Sequence, residues 1–112
     1  MFTLETLQKE QGAWQEKNFG PSPSWHALLG VQEEAGELCH AHLKSVQGIR
    51  TNENHQAAKI DAVGDIVIYL AAYCNLEGID LQLAVEQTWQ EVSQRNWKAN
   101  QVNGKTTEAR ND

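Results

Sequence analysis

Apolar residues recur along this chain at helical spacing, and no stretch alternates as a strand does. Leu81, Val85, Thr88 and Val92 step by four, three and four positions along one face. The same rhythm predicts helices over about Leu4–Asn18, Trp25–Gln47, Gln56–Leu76 and Leu81–Lys98. The breaks carry their own signals. Both prolines, Pro21 and Pro23, sit in "NFGPSPSW", where Ser22 or Ser24 is placed to cap the second helix. Gly48 and Gly78 read as helix stops, and Asp80 as the N-cap of the fourth helix. The expectation is one all-α domain over residues 1–98, followed by a polar, flexible tail over 99–112.

Two helices depart from simple amphipathicity. In the second, Glu33, Glu34 and Glu37 crowd into one sector, with Glu37 turned about 40° and Glu34 about 100° from Glu33. Leu28, Val31, Ala35, Leu38, Val46 and Ile49 take the opposite side. Like charges so close weaken an isolated helix, although water screens them on a solvated face. The third helix, around "AAKIDAVGDIVIYLAAYC", is apolar nearly all round, so it is expected to be buried. Asp61 and Asp65 stand one turn apart in that apolar surface, where unpaired carboxylates are costly. Pairing with Lys or Arg, or protonation, would relieve them. So would a hard divalent cation shared by Glu34, Glu37, Asp61 and Asp65, since oxygen-only ligation suits Mg²⁺ or Mn²⁺.

Bulk properties narrow the partners. A 112-residue chain with a net charge of −6 does not favour nucleic acid. The longest apolar run, "IVIYLAAYC", is too short to cross a bilayer. The N-terminus shows no signal-peptide pattern, and Cys39 and Cys74 read as free, buried thiols, all pointing to a cytoplasmic protein. Four substantial helices, one apolar all round, leave faces that a second copy would cover.

The two acidic stretches, "EEAGE" and then "DAVGDIVIYL", resemble the MazG-like all-α nucleoside triphosphate pyrophosphohydrolases, a superfamily that includes the dimeric dUTPases and the phosphoribosyl-ATP pyrophosphatases. The resemblance spans roughly residues 25–98. It implies a four- to five-helix bundle that dimerises through its central helices into a homodimer or homotetramer. It implies Mg²⁺, with Mn²⁺ as a substitute, and cleavage of an NTP or dNTP to the monophosphate and pyrophosphate in nucleotide-pool housecleaning. Carried over, Glu34, Glu37 and Asp65 match metal positions, and Glu33 matches an acid that orients or deprotonates the attacking water. The family's second half reads Glu-x-x-Asp, but the Glu position here is Ala62, which leaves Asp61 as the candidate replacement.

Phosphoryl transfer relies on neutralised charge and positioning. Arg95 and Lys98 are candidates for the outer phosphates, with Lys44 a weaker one, although the first two also suit a helix C-terminus. Trp14, with Phe19, is the candidate for contact with the base, against the commoner role of tryptophan in cores and interfaces. Two rival readings stand beside this one. A non-catalytic helical nucleotide-binding or dimerisation module draws on Ala62. A carboxylate-bridged di-iron bundle draws on Glu37-x-x-His40, of which the chain has one copy.

Overall fold

Four helices make up the regular structure of the computed structural model, which describes residues 1–106: α1 (Leu4–Asn18), α2 (Ser24–Gln47), α3 (His55–Glu77) and α4 (Leu81–Val92). The all-α class is as expected. The chain divides into two compact units, Met1–Leu81 and a second from Gln82 onward. The part of the expected tail at 107–112 lies outside the described residues.

In the first unit α3 is the middle element, packed by α1 and by α2. Each helix has a chemical reason to begin or end where it does. Thr3 caps α1 in a reciprocal box: its hydroxyl accepts from Thr6 N at 3.1 Å, and its own N–H donates to Thr6 Oγ1 at 2.8 Å. Asn54 caps α3 by accepting from Ala57 N at 2.9 Å. Gly48 and Gly78 end α2 and α3 in the left-handed region at φ 69° and 68°, where glycine alone carries no side-chain penalty. The start of α2 differs from expectation. The N-cap position is Pro23, which makes no side-chain cap, and Ser24 is already helical.

The buried apolar residues are small: Ala27, Ala41, Ala62, Ala71 and Ala72, with Cys74 and Leu81. Leu4 and Leu7 of α1 pack against the cluster of Ala71, Cys74 and Leu81. Small residues let α2 and α3 approach closely, and they reverse the expected use of α2. Its buried positions are Ala27, Gly30, Glu34 and Ala41, on the acid-bearing side. Of the expected core stripe, Leu28 is 47%, Val46 70% and Ile49 45% exposed, while Val31, Ala35 and Leu38 are half-buried. On α3, Ile60 is 64% and Val63 52% exposed. Helix α3, expected to be buried, is therefore only partly covered within this chain.

In the second unit α4 ends six residues earlier than the periodicity suggests. Gln94 N and Arg95 N tighten to the carbonyls three residues back, at 3.2 and 3.0 Å. Asn96 then offers its side-chain oxygen to Lys98 N and Ala99 N, both at 3.1 Å, and its own N–H donates to Gly104 O at 2.7 Å. An Asn side chain that satisfies nearby backbone donors competes with the helix for them. Arg95 and Lys98 therefore stand beyond the end of α4, Lys98 on a turn.

Candidate functional site

The site is built on the close seam between α2 and α3. The two helices run in opposite directions there, with Gly30 against Tyr69 and, one turn further along α2, Glu34 interacting with Asp65. A β-carbon at position 30 would stand 2.3 Å from the Tyr69 ring, so glycine is what allows the ring to lie on the α2 backbone.

Glu34 is 8% exposed, and its Oε1 is buried without a hydrogen-bond partner. Its pKa is pushed up to about 7, first by desolvation, then by the charges of Glu37 and Asp65. Asp65 is raised as well, first by desolvation and then by the charge of Asp61, while its contact with Glu34 pulls it the other way. Glu34 and Glu37 of α2 therefore bear on Asp65 of α3 across the seam, Asp61 bears on Asp65 along α3, and Glu33 adds its charge at the margin.

Glu34 and Asp65 open into a cleft of about 840 Å³ whose lining includes Trp14, Phe19, His26 and Tyr69. Trp14 and Phe19 meet edge to face with centroids 5.6 Å apart, forming one wall. The cleft brings together two of the expected metal ligands and the aromatic expected to meet a base. Glu33, Glu37 and Asp61 are exposed and do not line it. The exposure of Asp61 corrects the expectation that it lies among apolar groups: it stands beside Asp65 but on the solvent side. Ala62, by contrast, is 1% exposed.

The expected phosphate-binding residues have other local partners. Lys44 Nζ donates to Gln47 Oε1 at 3.2 Å. Arg95, in the second unit, lies 3.5 Å from Glu91 Oε1 and 6.0 Å from the Trp97 ring centre; Lys98 is exposed. Cys39 is exposed, which corrects its reading as buried; Cys74 is buried, and both thiols are free.

Among the described residues, no three His, Cys, Asp or Glu side chains converge as a ready metal cage. The donor chemistry nonetheless fits a hard divalent cation. All the groups are carboxylate oxygens, and the buried Glu34 Oε1 has no donor of its own. Several lining residues were not singled out from sequence, among them Gln11, Gln15 and Tyr69. The Gln11–Gln15 spacing of four was a visible signal, but two glutamines on one helix face are chemically unremarkable until the fold shows what they meet.

Among the described residues, no single helix is long and apolar enough to cross a membrane. No protein-family model, curated protein or solved structure matches the chain.

Proposed function

We propose that this protein is a Mg²⁺-dependent nucleoside triphosphate pyrophosphohydrolase, related to the MazG-like enzymes, that releases a monophosphate and pyrophosphate. The observation that carries the reading is the cleft itself, with a coupled carboxylate pair, Glu34 and Asp65, at one part of its lining and the Trp14–Phe19 wall at another. An acidic seam beside an aromatic wall suits a cation-bound phosphate joined to a flat base.

Glu34, Glu37, Asp61 and Asp65 would hold the cation. When bound it supplies charge neutralisation and orientation to the triphosphate. Glu34, with its raised pKa, is poised between protonated and ionised forms near neutrality, so cation binding would draw it into the ionised form. Glu33, exposed at the margin, is the candidate to orient the attacking water. Trp14 and Phe19, as one wall of the cleft, would pack against one face of the base. A homodimer or homotetramer would cover exposed apolar positions on the central helices, among them Leu28, Val46, Ile60 and Val63.

The test is a panel of NTPs and dNTPs assayed for pyrophosphate with Mg²⁺, with Mn²⁺ and with EDTA. Release that depends on the cation supports the proposal, and absence of release from every member of the panel overturns it. A second reading, nucleotide binding without turnover, is favoured by Ala62: where the family has a carboxylate, this chain packs a methyl group into the helix seam. Tight binding of a triphosphate in Mg²⁺ without hydrolysis would establish it.

A further inference from the structure

Above the seam, α1 and α3 are joined by a chain of side-chain amides whose polarity is set at one end. Asn75 Nδ2 donates to the main-chain carbonyl of Gln8 at 2.9 Å and to Gln11 Oε1 at 3.0 Å. A main-chain carbonyl can only accept, so the nitrogen of Asn75 must face it. Gln11 must then present its oxygen to Asn75, since the flipped amide would set two donors against each other. That leaves Gln11 Nε2 to donate, and it does so to Gln15 Oε1 at 3.2 Å. Gln15 is thereby left with its Nε2 group as the free end of the relay.

The relay is held in place by its surroundings. Gln11 is 6% exposed. A β-carbon on Gly12 would stand 3.1 Å from Asn75 Nδ2, so glycine gives the amide its room. Gln11 and Gln15 both line the cleft, on the same helix as Trp14.

We propose that the Gln8 carbonyl–Asn75–Gln11–Gln15 relay makes Gln15 a fixed hydrogen-bond donor in the cleft, selecting nucleobases that present a carbonyl oxygen, guanine, hypoxanthine, uracil or thymine, over adenine. This rests on the reading of the cleft as a nucleotide site. Guanine and thymine offer oxygen acceptors at their edges, whereas adenine places an amino group beside its ring acceptor. An amide locked with its nitrogen forward, facing the exocyclic position of the base, pairs with the oxygen of the first arrangement and meets a donor in the second. Gln15 would touch the base; Gln11 and Asn75 are positioning residues that act through it.

The experiment measures binding separately from turnover. The α,β-imido analogues of GTP, UTP and ATP are titrated calorimetrically in Mg²⁺ against the full chain, and pyrophosphate release from the natural triphosphates is assayed in parallel. The wild-type protein is expected to bind the GTP and UTP analogues about three- to tenfold more tightly than the ATP analogue, the scale of one net hydrogen bond. Gln15→Glu replaces the donor with an acceptor, still able to receive from Gln11, and is expected to abolish or reverse that ratio. Asn75→Asp, remote from the base and held protonated by the Gln8 carbonyl it must donate to, accepts from Gln11 Nε2 and so inverts the relay until Gln15 presents its oxygen; it is expected to move the ratio the same way, which a merely structural role would not do. Circular dichroism verifies folding, and if one variant fails to fold the other decides.

An unchanged ratio in a folded variant overturns the inference, as does a wild-type preference for adenine. Base preference that shifts with the variants while no pyrophosphate is released supports the relay and overturns the hydrolytic reading alone. Hydrolysis with unmoved base preference does the opposite. Absence of binding by all three analogues overturns both.

Discussion

The Tyr69 ring occupies the space where a β-carbon on Gly30 would stand, 2.3 Å from its nearest ring atoms. This contact sets how closely α2 and α3 approach one turn away from Glu34. Two carboxylates on neighbouring helices are brought into one another's field because a glycine, and not a larger residue, sits beneath the ring.

Gly30→Ala is therefore expected to destabilise the fold by about 1–3 kcal/mol, the usual scale of overpacking. Gly36→Ala on the same helix has nothing within 4 Å of the added carbon. It is expected to stabilise by roughly 0.5–1 kcal/mol through helix propensity alone. Urea denaturation of the two variants checks the contrast. Equal effects would mean that the Tyr69 contact does not constrain the seam.

Metal-free stability should fall as pH rises through the acid range. An acid whose pKa is higher in the folded than in the unfolded chain costs nothing while both forms are protonated. For Glu34 the cost enters as pH rises through about 4.5 and is complete above about 7. Asp65, also raised, adds in the same direction. The Cys74 thiol, pushed up from 9.0 by burial first and then by the charge of Asp80, adds only at alkaline pH. Thermal melts in EDTA at pH 5 and pH 8 should show the higher midpoint at pH 5, with Glu34→Gln narrowing the gap. Mg²⁺ should restore stability at pH 8. A midpoint that rises from pH 5 to pH 8 contradicts the assignment.

Glu37→Gln should remove pyrophosphate release while leaving the melting temperature equal or higher, because Glu37 is exposed and its charge bears on Glu34. Asp61→Asn, on the solvent side of Asp65, is expected to weaken Mg²⁺ binding and turnover about 10–100-fold, as losing a supporting ligand does. Adding Ala62→Glu to that variant rebuilds the Glu-x-x-Asp spacing, with partial recovery of Mg²⁺ affinity at lower stability, since position 62 is 1% exposed. Isothermal titration with Mg²⁺ separates these outcomes. Unchanged affinity in Asp61→Asn would leave the cation to Glu34, Glu37 and Asp65.

Light scattering at micromolar concentration should give a mass at least twice 12.6 kDa. Ile60→Lys combined with Val63→Lys should lower it, because both residues are more than half exposed in the isolated chain. A folded wild-type monomer under these conditions would remove the dimer from the proposal.

The helices themselves were legible in the sequence. Periodicity and end signals are local, and Asn54, Gly48 and Gly78 act within a turn of where they stand. That Glu34 and Asp65 interact follows the helical spacing of the acids, whereas the exposure of Glu33, Glu37 and Asp61 outside the cleft does not. Which face is buried was not legible. Counting apolar residues pointed to Leu28, Val31, Ala35, Leu38, Val46 and Ile49, of which Val31, Ala35 and Leu38 are half-buried, yet the residues α2 buries fully are Ala27, Gly30 and Ala41 with Glu34. Close packing rewards small residues that let two backbones approach, a property of the pair of helices and not of either one. The end of α4 was equally hidden, since Asn96 reads as an ordinary helix residue until its side chain is seen to hold Lys98 and Ala99. The direction of the amides along Asn75, Gln11 and Gln15 was decided only in three dimensions. A glutamine carries both a donor and an acceptor, and the carbonyl of Gln8, 67 positions from Asn75, fixes which of the two Gln15 leaves unbonded.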